Sequence, residues 1–307
     1  MVTAKDVKEL RSQTGAGMMD CKKALSESNG NFDEAITWLR EQGLSAAAKK
    51  SSRVASEGLV AAIVENKTAS IIEVNSETDF VSRNDQFQEF VELLADLITK
   101  TDDLTQIEQL QSLIFPGTED TVKTHTNNII SSIGENISIR RFNKISLKNG
   151  IIAKYIHNSL KPNLGRIAVI ISIESDIKQE KLGDLAKNIA MHIAALNPIS
   201  IDRKGLSQSL IDSEREILIK QAKESGKPDN IIDKMVDGRL NKYYQEVCLL
   251  EQAFVMDNEI NVSQAIERFS RDNNGKISIS EFYRFELGEG ISKKDENFAE
   301  EVALAAS

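Results

Sequence analysis

The chain has 307 residues, 40% hydrophobic, 28% charged and 5% aromatic, a composition that supports two or three modest globular domains. Its 38 Lys plus Arg face 47 Asp plus Glu, a formal charge of -9, so the cationic surplus of nucleic-acid binders is missing and direct nucleic-acid binding is not expected. The start shows no basic segment leading into an apolar core, no uninterrupted apolar run reaches about 18 residues, and Cys21 and Cys248 lie too far apart for a disulfide framework or metal spacing. A soluble, cytoplasmic protein with plain thiols and no membrane association is therefore expected.

Thr3 with Asp6 reads as a capping box, and Val7 and Leu10 stripe a first helix that ends at Thr14-Gly15. A second helix runs from Met18 through Cys21 and Leu25 to the stop Asn29-Gly30. A third opens on Asn31 with Glu34 at the capping position, gathers Phe32, Ala35, Ile36 and Leu39 on one face, and is expected to stop at Gly43. Leu44 to Ser56, rich in Ala, Lys and Ser, has the composition of a linker or frayed helix, which puts a domain boundary near residue 55.

Beyond it the pattern turns to β. Leu59 to Val64 and Ile71 to Val74 are branched apolar runs around Glu65-Asn66-Lys67, as in a hairpin. Phe87, Val91, Leu94 and Ile98 then recur at helical spacing between Asp85 and Lys100, and a more polar helix is expected from Asp102 to Phe115, ended by Pro116-Gly117. Strands return at Ile137 to Leu147, Ile151 to His157 and Arg166 to Glu174, giving an α+β middle with mostly antiparallel connections. Leu182, Leu185, Ile189, Ile193 and Leu196 stripe a helix that Pro198 terminates. Two long helices, Ser207 to Ser225 and Asp229 to Val247, flank Gly226-Lys227-Pro228 and form a helical hairpin, open to dimerisation, to partner contact or to a purely intramolecular role.

Ser270 to Glu281 matches much of an EF-hand loop, with Gly275, Ile277 and Glu281 in the right places. Ser270, however, lacks the carboxylate needed at the first position. Ile277, Ile279, Tyr283, Phe285 and Leu287 also alternate with polar residues like a strand where an EF-hand requires a helix. A Gly-turned hairpin is expected instead, with no metal bound. His125, His157 and His192 show no catalytic or ligating spacing, His192 reads as a core or edge histidine, and Gly288-Glu289-Gly290 lacks the rest of a phosphate loop. Neither enzymatic activity nor a cofactor is expected. Glu73 to Arg83 leaves a strand and enters a helix with Phe80 in the connection, and two readings stay open: a phenylalanine tucked onto its own core, or one beside Asp79 that inserts into a partner's pocket.

The run Leu10-Arg11-Ser12-Gln13-Thr14-Gly15-Ala16-Gly17-Met18-Met19-Asp20-Cys21-Lys22-Lys23-Ala24-Leu25 resembles the first signature of the elongation factor Ts family, and Glu73 to Arg83 resembles the second. Gly134 to Arg141, Ile189 to Ala195 and Arg284 to Gly290 are similar to that family as well. The resemblance implies a three-helix ubiquitin-associated-like domain (1–54), an antiparallel-sheet core of two related subdomains (55–145, and 146–200 with 248–287), an inserted antiparallel coiled-coil hairpin (201–247) and a C-terminal helical module (288–307). It further implies a guanine nucleotide exchange factor that binds elongation factor Tu with GDP and promotes exchange for GTP. Thr78, Asp79, Phe80 and Val81 would bind the partner and displace its magnesium, with Asp79 and Phe80 entering its GTPase domain and disturbing the magnesium site. By the same resemblance Arg11, Met18 and Met19 would touch that domain near the nucleotide, His157 would meet another domain, and the tail around Phe298 to Leu304 would pack on the partner. A homodimer through the hairpin is a further expectation.

Overall fold

The computed structural model describes residues 2–14, 16–224 and 228–292. α1 (Ala4–Thr14) starts where the Asp6 carboxylate accepts from Thr3 N at 2.8 Å and the Thr3 hydroxyl accepts from Asp6 N at 3.3 Å. α2 (Met18–Glu27) ends in the left-handed pair Asn29 and Gly30. α3 (Phe32–Lys50) is capped by Asn31, whose Oδ1 accepts from Asp33 N and Glu34 N. Leu10, Cys21, Leu25 and Ala35 close a small core among the three helices.

The expected helix stop at Gly43 is not found, because α3 continues to Lys50, and of the two readings of Leu44 to Ser56, linker or frayed helix, its first part takes the helical one. A mid-helix glycine costs about 1 kcal/mol relative to alanine, and packing offsets this. The buried Gly43 faces Asn127 and Ser131, Ala47 joins the main core, and the Lys50 ammonium donates to Ile130 O.

β1 (Glu57–Glu65) and β2 (Thr68–Ser76) form the expected hairpin, turned at Asn66 with φ 53°. α4 (Asp85–Lys100) is capped by Asn84 and buries Phe87, Val91, Leu94 and Ile98. The helix expected over Asp102 to Phe115 shrinks to α5 (Ile107–Ser112), with Leu110 its buried residue, and an unforeseen helix, α6 (Val122–Ile133), follows. Only Val122, Ile129 and Ile130 of α6 are buried, too sparse a stripe to stand out among its Thr and Asn residues.

The rest comprises β3 (Ile137–Ser146), β4 (Ile151–His157), β5 (Leu164–Gly165), β6 (Ile167–Ser175), α7 (Gln179–Leu196), α8 (Gln208–Lys223), α9 (Asp229–Val247), β7 (Ala253–Phe254), β8 (Asp257–Asn261), α10 (Val262–Asp272) and β9 (Ile277–Glu286). Two antiparallel sheets, β3-β2-β1-β5 and β4-β6-β9, stack face to face, and β7-β8 is a separate ribbon. Alternation along the strands sorts the layers. Leu59, Ala61, Ile72 and Val74 face α4 and α6, while Val60, Ala62, Ala69 and Ile71 meet Ala168, Ile170 and Phe285 of the second sheet. Val169, Ile171 and Ile173 then face α7 and α10. With both faces covered, the central strands read as continuous apolar runs. The result is an α+β protein with N-terminal helices and antiparallel sheets.

α8 and α9 lie against each other through Leu218, Ala222, Ile232, Val236 and Leu240, and the expected turn residues Gly226 and Lys227 are outside the described residues. So is the tail from residue 293, including Phe298 to Leu304. The Gly-turned hairpin expected around Gly275 is instead a helix-to-strand turn from α10 into β9, in which Asp176 Oδ1 accepts from Lys276 N at 2.6 Å. The strand carries Glu281 away from the loop, opposite Ser172. Among the described residues no helix is long and apolar enough to cross a membrane.

Candidate partner-binding site

Where β2 ends, Glu77 and Thr78 are clamped to the turn between α6 and β3. Thr78 donates to the Glu135 carboxylate twice, through N at 2.9 Å and Oγ1 at 2.7 Å, while Asn136 N donates to Glu77 Oε1 at 2.6 Å. Gly134, left-handed with φ 90°, ends α6 and turns the chain so that Glu135 and Asn136 meet the loop. On the far side, Asp79 O accepts from Ser82 N and Ser82 Oγ, Gln88 Nε2 donates to Ser82 O, and Val81 is buried in the core.

Between these anchors stand Asp79 and Phe80. Phe80 is 76% exposed, which overturns the reading that tucks it onto its own core. Among the described residues no hydrogen bond or ion pair engages the Asp79 carboxylate. A rigid loop thus presents a free aromatic ring and a free carboxylate side by side, the form of an anchor for a partner's pocket.

Three of the sequence segments carrying the resemblance converge nearby on one buried carboxylate. Glu73, fully buried on β2, accepts from Arg140 Nη1 at 2.9 Å, Arg141 Nε at 2.6 Å, Gly288 N at 2.8 Å and Asn75 Nδ2 at 3.1 Å. Burial alone would raise its pKa, but the Gly288 amide and the two guanidiniums outweigh it and hold the carboxyl below its ordinary value. Arg140 also reaches Glu289 O, and Arg141 lies over the Phe285 ring at 4.3 Å. A fourth segment joins through Arg284 Nε, which donates to Ala194 O at 3.2 Å.

The other expected contact residues lie elsewhere on the surface. Met18 and Met19 open α2, 46% and 73% exposed, and Arg11 is exposed in the last turn of α1. His157, exposed at the end of β4, lies near the Tyr155 hydroxyl at 3.3 Å. No hydrogen bond or ion pair among the described residues joins Arg11, Met18, Met19 or His157 to the 78–81 loop. A cleft of about 680 Å³ lies between the N-terminal helices and the core, spanned by an Arg40–Asp120 ion pair at 2.9 Å.

His192 is a satisfied core residue. Its Nδ1 accepts from Val255 N at 3.3 Å, so Nε2 carries the proton toward Gln252 Oε1 at 2.9 Å, and burial lowers its pKa. Among the described residues no cluster of three or more His, Cys, Asp or Glu side chains is placed to hold a metal. The sequence reasoning missed Glu77 and Glu135. Both lie in segments that resemble the family, Glu77 in Glu73 to Arg83 and Glu135 just after Gly134, but nothing local in the sequence pairs them with the loop.

A family model described as Elongation factor TS matches residues 77–289. Curated relatives named elongation factor Ts align along nearly the whole chain. The Rhodospirillum centenum protein is 48% identical over 305 residues, covering 99% of both chains. That of Rickettsia bellii is 48% identical over 303 residues, covering 98% of this chain and 97% of its own. The Parvibaculum lavamentivorans protein is 46% identical over 305 residues, covering 99% and 98%. With the family model spanning 77–289 and these relatives aligned along nearly the whole chain, the chain belongs to the elongation factor Ts family.

Proposed function

We infer that this protein is a guanine nucleotide exchange factor of translation elongation, binding elongation factor Tu with GDP and promoting exchange of GDP for GTP. The observation that carries the reading is Phe80, the one aromatic among the exposed large hydrophobics of the described residues, held beside the free carboxylate of Asp79. Asp79 and Phe80 enter the partner's GTPase domain and disturb its magnesium site, with Thr78 and Val81 as the posts of the loop. Met18, Met19 and Arg11 form a second contact on the same domain, and His157 a third on another.

The activity needs no covalent step. A factor that binds the nucleotide-free partner more tightly than its GDP form weakens GDP by the same ratio as GDP weakens the factor. Each tenfold weakening requires about 1.4 kcal/mol, and burying one phenylalanine contributes roughly 1.5–3 kcal/mol. Phe80 alone therefore accounts for about one or two decades, and the methionines and the rest of the surface must supply more.

The division of labour in this reading assigns 1–54 to a ubiquitin-associated-like partner-binding unit and 55–145 and 146–200 with 248–287 to two related core halves. Residues 201–247 form a coiled-coil hairpin and 288–307 a C-terminal module. The small core around Leu10 and Leu25 supports the first unit, and the separate apolar seam of α8 and α9 supports the hairpin. Ile217 and Ile231, exposed on its arms, suit contact with the partner or with a second copy. The direct test is release of a fluorescent GDP analogue from elongation factor Tu. Substoichiometric amounts of the chain should accelerate it, and release at the spontaneous rate would refute the proposed activity.

A further inference from the structure

Phe80 acts only if its loop is aimed before the partner arrives, because ordering a flexible loop on binding would offset much of what the ring contributes. The aim has an identifiable source. Of the residues around Asp79 and Phe80, Val81 and Ser82 are fixed by burial and by neighbours in the same stretch of chain. On the other side, Thr78 is held from a different part of the fold, by both oxygens of Glu135. Glu135 lies between the left-handed Gly134 and the first residue of β3, so its backbone is set by α6 and by the sheet. The neighbouring bonds reinforce it. Asn136 N donates to Glu77, Asn136 Nδ2 donates to Arg53 O at 2.8 Å, and Arg53 pairs with Glu77 at 3.4 Å. Both Glu135 oxygens are thus directed at Thr78, not outward.

We propose that Glu135 is a positioning residue for exchange: its carboxylate grips Thr78 and sets the direction in which Asp79 and Phe80 meet the partner, without touching the partner itself. This inference rests on the wedge reading of Phe80 and adds to it the residue that makes the wedge rigid. A carboxylate accepts from both Thr78 donors at once, and charge-assisted bonds of this kind are among the stronger ones. In Glu135→Gln the amide oxygen can still accept from Thr78 N and the NH2 group can donate to the Thr78 hydroxyl, so the contacts persist but both lose their charge assistance.

A double-mutant cycle on full-length protein tests the proposal, using stimulated release of a fluorescent GDP analogue from elongation factor Tu. Glu135→Gln should slow release about tenfold, since losing the charge assistance of the two bonds is worth roughly 1.4 kcal/mol. In the Phe80→Ala background it should cost little more, because no ring remains to be aimed. A purely structural role would multiply the two losses, and that result would overturn the proposal. So would full activity of Glu135→Gln alongside a slowed Phe80→Ala. If Phe80→Ala releases nucleotide at the normal rate, the wedge reading fails, and the aiming role with it. Thr78→Val, which deletes only the hydroxyl donor, keeps the test decisive should Glu135→Gln fold poorly. It should show a smaller loss that likewise vanishes without Phe80, and an undiminished loss in that background would contradict the clamp.

Discussion

Replacing Glu73 by Gln keeps the side chain's shape and removes the negative charge at the junction of β2, β3 and the turn at Gly288. Two guanidiniums, the Gly288 amide and Asn75 point at this carboxylate. The substitution leaves both arginines without their buried counter-charge and turns an NH2 group toward at least one donor. Breaking a buried pair by removing one partner costs about 3–5 kcal/mol. Arg140 and Arg141, however, keep 27% and 31% of their side-chain surface in contact with water and can be partly rehydrated there. A loss of about 2–3 kcal/mol follows. With an m of roughly 3 kcal/mol/M, the urea midpoint followed by circular dichroism should fall by about 0.7–1 M with unchanged slope. The pH dependence fixes the sign independently. The folded carboxyl sits below its unfolded value, so its contribution is complete above about pH 4.3 and disappears as pH falls through the folded value. The gap between wild type and Glu73→Gln should therefore shrink in acid. A variant within about 0.5 kcal/mol of wild type at pH 7, or a gap that persists at low pH, would refute the network's role.

Gly43→Ala should stabilise the protein by about 0.5–1 kcal/mol, since a Cβ there meets Ser131 at an ordinary 3.8 Å and the mid-helix entropy cost is removed. A lowered denaturation midpoint would show that α3 packs more tightly on α6 than these distances allow. His192 is held neutral by burial, with a folded pKa below the unfolded value near 6.5, so the unfolded state takes up more protons between the two. Stability should be complete above about pH 6.5 and decline on acidification through the folded value. His192→Gln should weaken that decline, as read by melting temperature against pH.

Strong local signals made most elements legible. The Asn31 cap, the Phe87 to Ile98 stripe and the branched runs of β1, β2 and β6 combine propensity with periodicity, and each forms where expected. Failures fall where tertiary packing overrides a local rule. Gly43 is a stop signal in isolation and a helix interior once Asn127 and Ser131 lie opposite it. α6 hid because its sparse buried face is made by contact with the sheet and α3, not by a dense stripe. Around Gly275 the alternation of β9 was readable, but the preceding helix α10 was not foreseen. At the site, Phe80 was visible as an odd loop aromatic, while its exposure was not, because nothing local in the sequence says whether Val81 or Phe80 is the residue that turns inward. Glu135 lies 57 positions from Thr78, a pairing that only the fold creates.

The account turns on whether Phe80 perturbs the nucleotide site of elongation factor Tu. Its most direct test compares wild type with Phe80→Ala in stimulated release of a fluorescent GDP analogue, with melting temperature measured in parallel. Because the ring is 76% exposed, its removal should leave the melting temperature nearly unchanged. Stimulated release should slow by about ten- to a hundredfold, the equivalent of roughly 1.5–3 kcal/mol of lost burial in the complex. Release at the wild-type rate by a stably folded Phe80→Ala protein would contradict the account.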